Sequence, residues 1–126
     1  MGKVYKGTEN NVRIIGGLKS VPQVHVSEYG EIATINVATK SSTFDKESDS
    51  YIDTSCWHTV VVKNQYALFL KNYGHPGMRL LIDGFLKTRK IELPEKPVYY
   101  VTEIIAERVE MMDSKKPDTN INDSNN

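Results

Sequence analysis

Three observations predict the fold class. Five stretches carry the alternation or β-branched runs of strands. One short stretch with helical spacing lies between the third and fourth of them, and glycine, proline or polar turn residues mark most of the junctions. Together they predict an all-β protein, a five-stranded antiparallel Greek-key barrel closed by one short helix, which is the OB-fold. The chain has 126 residues, the length of a single domain with loose ends. We divide it into a flexible N-terminus at 1–10, a barrel domain at 11–113 and a disordered tail at 114–126, the last rich in Lys, Pro, Asp, Asn and Ser.

The first strand is expected at Val12 to Leu18, with Gly16-Gly17 marking a bulge or a sharp bend. Small barrels need such bends where one strand serves two parts of the sheet. Gln23 to Val26, after Pro22, reads as a continuation of that strand. Glu28-Tyr29-Gly30 is a turn. Glu31 to Thr39 is the clearest strand, with Ile32, Thr34, Asn36 and Ala38 on one face and Ala33, Ile35 and Val37 on the other. Lys40 to Thr54 is polar and is expected to be a long, mobile hairpin loop, in which Phe44 and Tyr51 are out of place.

Cys56 to Val62 is a β-branched strand. Asn64 to Tyr73 is a helix, with Asn64 as its cap and Tyr66, Phe69, Leu70 and Tyr73 at helical spacing. Gly74-His75-Pro76-Gly77 ends it. Met78 to Leu86 is the fourth strand. Pro94 and Pro97 mark a loop tip, and Val98 to Met112 is the last strand. The sole cysteine, Cys56, excludes an intrachain disulfide and a single-chain thiolate zinc site, and reads as a small buried hydrophobe. The three histidines lack ligand spacing, so neither a metal nor another cofactor is expected. No secretory signal or membrane span is visible, and a cytoplasmic protein is expected.

The sixteen basic and sixteen acidic residues cancel, but they are unevenly spread. Residues 57–90 carry six bases and one acid, whereas 91–126 carry four bases and eight acids. Local fields steer a charged ligand more than totals do. An anionic polymer bearing flat rings would need a basic track and flat aromatic faces. Lys87, Arg89 and Lys90 supply charge at the end of the fourth strand, with Lys63 and Arg13 as further contributors. Trp57 fits either a ligand face or the core. Glu103 and Glu107 read as solvated. Ser55-Cys56 beside His58 does not make a nucleophile and base, because adjacent strand residues point to opposite faces and no orienting acid accompanies them.

Several segments in this order resemble the bacterial single-stranded DNA-binding protein family. They are Asn11-Val12-Arg13-Ile14-Ile15-Gly16-Gly17-Leu18, Pro22-Gln23-Val24, Ala38-Thr39, Trp57-His58-Thr59-Val60-Val61, Asp83-Gly84-Phe85-Leu86-Lys87-Thr88-Arg89-Lys90 and Tyr100-Val101-Thr102-Glu103-Ile104-Ile105. The resemblance covers about residues 11–112. It implies an OB-fold, usually a homotetramer, around which single-stranded DNA wraps, with no catalysis and no metal. It also implies work in replication, recombination and repair, in a bacterial cytoplasm at the nucleoid.

By the same resemblance Trp57 is a stacking residue and His58 lies near a subunit contact. Three other family stacking positions fall on Lys63, Ile91 and Thr43, so binding is expected to lean on charge, with Phe44 substituting next to Thr43. Family members often end in an acidic, apolar-tipped tail that docks replication and repair proteins. This chain instead runs out in Ile121-Asn122-Asp123-Ser124-Asn125-Asn126, so docking by that route is not expected. The competing expectation is an OB-fold protein-interaction module, a primosomal or mobile-element accessory relative with weak DNA binding.

Overall fold

The computed structural model describes residues 6–112. In chain order the elements are β1 (Val12–Leu18), β2 (Gln23–Ser27), β3 (Gly30–Asp45), β4 (Ser50–Lys63), α1 (Asn64–Tyr73), β5 (Arg79–Ile91) and β6 (Tyr99–Met111). Hydrogen-bonded neighbours run β1-β5-β6-β4-β3, and β1 also pairs with β3, so five strands close on themselves. The pairings are antiparallel except the seam between β4 and β6, where Val60 lies beside Ile104 and Val61 beside Ile105 in parallel.

The double duty expected of the first strand falls where the glycines are. Val12 to Gly17 pair with β5, while Gly17 and Leu18 pair with β3. A Cβ at Gly16 would run into the Ala38 carbonyl, so the two backbones meet only because the side chain is absent. Gln23 to Val26 do not continue this strand. They belong to β2, a short edge strand folded back on β3 across the turn at Glu28 and Tyr29.

Strand alternation sets the core. Ala33, Ile35 and Val37 from β3, Val60 and Val62 from β4, Leu80 and Ile82 from β5, and Ile104 and Val109 from β6 are buried. In β6 the alternation changes phase. Asp83 lies opposite Arg108 and Gly84 opposite Ala106, which makes Glu107 the inserted residue of a β-bulge. A Cβ on Gly84 would strike the Ile105 carbonyl at this point. The phase change explains why Ile104 and Val109, of opposite parity, both face inward.

The helix α1 closes the barrel with Ala67 and Leu70, both fully buried, and with Tyr66 and Phe69 packed against the core. Tyr73 lies on the same helical face, but at the last residue of the helix it is exposed, touching Phe69 at a ring separation of 5.6 Å. The cap position is Lys63, with no side-chain cap bond, and Asn64 has a positive φ of 55°. Asn64, expected as the cap, is instead the first residue of the helix, entered through a left-handed φ. At the other end the Gly74 N–H donates to the Leu70 carbonyl at 2.7 Å.

The largest departure from expectation is the supposed loop at 40–54. β3 and β4 remain paired rung by rung from Ile32 and Lys63 out to Asp45 and Ser50, leaving only four residues for the turn. Cross-strand hydroxyls such as Ser41 and Thr54, 3.0 Å apart, link the arm. Asp45 holds the tip, accepting from the Ser48 hydroxyl at 2.8 Å and from the Glu47 N–H at 3.3 Å. The Ser48 hydroxyl holds the Asp45 carboxyl below its ordinary range. The arm projects beyond the barrel, so neither face is buried and its sequence carries no apolar alternation.

At the N-terminal boundary, the Asn10 carboxamide pairs with the backbone of Leu86, donating to its carbonyl at 2.8 Å and accepting from its N–H at 2.9 Å. The tail expected at 114–126 lies outside the described residues. Among the described residues no helix is long and apolar enough to cross a membrane.

Candidate nucleic-acid interface

Burial parity tells which side chains leave the barrel outward. On β4 the inward residues include Val60 and Val62, so Trp57, Thr59, Val61 and Lys63 point out. On β5 Leu80 and Ile82 point in, so Lys87, Arg89 and Ile91 point out. On β6 Ile104 points in, so Glu103, Val101 and Tyr99 point out. Since β4, β6 and β5 are neighbours in the sheet, Trp57, Lys87 and Arg89 share one outer face. Lys90 has the opposite parity and lies on the other side of the β5–β6 arm, opposite Tyr100.

The basic residues differ in how much charge they can offer. Arg89 is forked onto Glu103, with Nε donating to Oε1 at 2.9 Å and Nη2 to Oε2 at 3.3 Å. Glu103 is 7% exposed, so it is not the solvated carboxylate its strand position suggested. The hydrogen bond to Glu103, and then its charge, raise the Arg89 pKa. Lys87 sits directly opposite Glu103 on the same face and has no ion pair among the described residues. Lys90 makes only a loose contact of 3.9 Å with Glu92.

Arg13 is committed elsewhere. It donates to both oxygens of Asp83, at 2.6 and 3.0 Å, and Arg108 donates to the same carboxylate at 3.1 Å. The Arg13 hydrogen bond first, with Arg108 adding to it, holds the Asp83 carboxyl below its usual range. Lys63 is exposed at the helix end of β4, six residues from Trp57 and roughly 20 Å along the strand.

Trp57 is 52% exposed, which removes it from the core, and the ammonium of Lys19 lies 5.0 Å from its ring centroid. Phe44 stands at the far end of the β3–β4 arm, edge-to-face with Tyr51 at 5.3 Å. Tyr51 and Phe44 form one rung of the ladder. Tyr51 has the parity of Trp57 on an uninterrupted strand, so this aromatic pair lies on the Trp57 side of the arm.

Lys19 was missed from the sequence, and Tyr51, noted there as out of place, was not read as a site residue. Counting the alternation backward from Trp57 would have found Tyr51, but nothing local signals Lys19, which reaches Trp57 only through barrel closure. His58 points to the other face, where its Nε2 lies 2.8 Å from the Thr39 hydroxyl. Cys56 is exposed, not a buried hydrophobe, because it lies on the arm beyond the barrel. The described residues contain no cluster of three or more potential metal ligands.

A surface that combines an exposed indole, a second aromatic pair and a lysine with no ion pair among the described residues suits a flexible polyanion bearing flat rings. Comparison with known proteins agrees. The model of the single-strand binding protein family matches residues 9–112. A single-stranded DNA-binding protein of Bacteroides thetaiotaomicron is 29% identical over 112 residues, covering 87% of this chain and 70% of the relative. Among solved structures, the Plasmodium falciparum SSB in complex with ssDNA superposes with a TM-score of 0.76 at 24% identity, covering 87% of this chain and 100% of that one. A small single-stranded DNA-binding protein from Streptomyces coelicolor gives 0.63 at 19% identity, covering 80% and 92%.

Proposed function

This chain belongs to the single-strand binding protein family, and we propose that it binds single-stranded DNA with little regard to sequence and without catalysis. The observation that carries the reading is the shared outer face of β4, β6 and β5, where the half-exposed indole of Trp57 accompanies Lys87 and Arg89. Phosphates follow the cations and release counterions, while bases stack on the rings. Lys87 is the principal phosphate contact. Arg89, Lys90 and Lys63 add weaker ones, and Arg13 adds least because Asp83 already holds it. Trp57 stacks one base, and Phe44 with Tyr51 offers a second platform at the tip of the arm.

Assembly into a homotetramer fits this chemistry, since linked faces raise the effective concentration along one strand. His58 and the β3–β4 arm that extends from its strand are the surface we assign to subunit contact. A cytoplasmic place in bacterial DNA replication, recombination and repair follows from the family. Replication and repair proteins would then be further partners.

Titrating Trp57 fluorescence with an oligothymidylate at low salt tests the reading. Quenching that reverses as salt is added is the expected result. An unchanged signal at low salt, with the fold intact by circular dichroism, rejects it. A light-scattering mass equal to one chain rejects the tetramer.

A further inference from the structure

Tyr99 opens β6 and is half exposed, at 50%. It lies directly opposite Ile91 on β5, on the last rung of that ladder. The register is continuous from there to Ala106, so Tyr99, Val101 and Glu103 share the outer face with Lys87, Arg89 and Ile91. Arg89 lies on the same face, two residues before Ile91, the residue paired with Tyr99. Among the described residues its ring has no aromatic neighbour and its hydroxyl no hydrogen bond. Its neighbour Tyr100, 67% exposed, falls on the other side of the arm beside Lys90.

An exposed ring next to a guanidinium and in line with a lysine that has no ion pair among the described residues has the two components that single-strand binding needs. A phosphate can engage the cation while the adjoining base lies on the ring. We propose that Tyr99 is a base-stacking residue, a binding position separate from Trp57 and from the Phe44–Tyr51 pair. Tyr100 is turned to the opposite side, away from Lys87 and Arg89, where only the weaker contact of Lys90 accompanies it. The proposal rests on the single-strand-binding reading above, and it extends the binding track along the β5–β6 arm beyond Arg89.

The experiment compares Tyr99→Ala, Tyr99→Phe and Tyr100→Ala with the wild type. An oligothymidylate is titrated at several salt concentrations, and light scattering is recorded for each variant. Tyr99→Ala weakens binding by roughly 5- to 150-fold, the range for one lost stack. Its salt slope stays at the wild-type value, because no phosphate contact is lost. Tyr99→Phe binds as the wild type does, and so does Tyr100→Ala.

Equal affinity for Tyr99→Ala and wild type overturns the proposal while leaving the broader reading intact. A lowered salt slope overturns it too, by showing that the ring acts only through Arg89. A changed assembly mass in Tyr99→Ala overturns it in favour of a subunit contact. Failure of the wild type to bind at all rejects the underlying reading instead.

Discussion

The buried carboxylate on the basic face makes a prediction that separates stability from binding. Glu103 offsets Arg89 through two hydrogen bonds and faces Lys87 across the ladder. The three side chains together offer a phosphate one net positive charge, not two. Glu103→Gln keeps the shape and removes the negative charge. Arg89, whose side chain is 54% exposed, is then free to meet a phosphate.

One added phosphate contact steepens the dependence of log K on log salt by about 0.7 for a single strand. With other contributions unchanged, that slope converts to about fivefold tighter binding near 0.1 M salt and less than about twofold near 0.5 M. Stability moves the other way, because a charge-assisted pair is replaced by a weaker one, so the unfolding midpoint falls. Fluorescence titration of an oligothymidylate over a salt series gives both affinity and slope, and thermal unfolding gives the midpoint. If affinity falls while the slope holds, Glu103 aligns Arg89 for binding instead of neutralising it, and the charge reasoning fails.

Further outcomes follow from the same geometry. Trp57→Ala should lose about 1–3 kcal/mol of binding free energy, the value of one stacked base, as measured by fluorescence anisotropy of a labelled oligonucleotide; unchanged affinity would mean that this exposed ring meets no base. Lys87→Ala should lower the salt slope by about 0.7, whereas Arg13→Ala, whose charge Asp83 already holds, should leave it nearly unchanged. Equal slopes for the two variants would refute that distinction.

Asp83 has a pKa below its ordinary value in the folded state, so its contribution to stability is complete above the unfolded value of about 4 and is lost as pH falls through the folded value. The gap in thermal midpoint between wild type and Asp83→Asn should therefore be widest near neutrality. It should narrow only in acid below that unfolded value, and a gap independent of pH would show that the ion pairs do not cause it.

The sequence by itself determined the barrel and its plug. Alternation in Glu31 to Thr39 set Ala33, Ile35 and Val37 together on one face, which the barrel buries, and Gly16-Gly17 marked the strand shared by two parts of the sheet. These features are local, because a buried face forces apolar residues at a period of two. The order of the motifs was enough to indicate the family. The arm from Lys40 to Thr54 was not legible as strand. Its pairing is set by hairpin register and cross-strand hydroxyls, and neither face is buried to leave an apolar trace.

The tertiary structure alone decided how much charge each base retains. Alternation already sets Lys87 and Arg89 on one face of their strand, but only the fold matches Arg89 to Glu103 from β6 and leaves Lys87 as the stronger cation. Arg13 reads as a phosphate contact until β5 brings Asp83 against it. Trp57 was equally compatible with core and surface until barrel closure left it outside, with Lys19 from the end of β1 over its ring. Each of these outcomes depends on which strands become neighbours. That is a long-range property of the closed barrel, and the pattern within a single strand does not encode it.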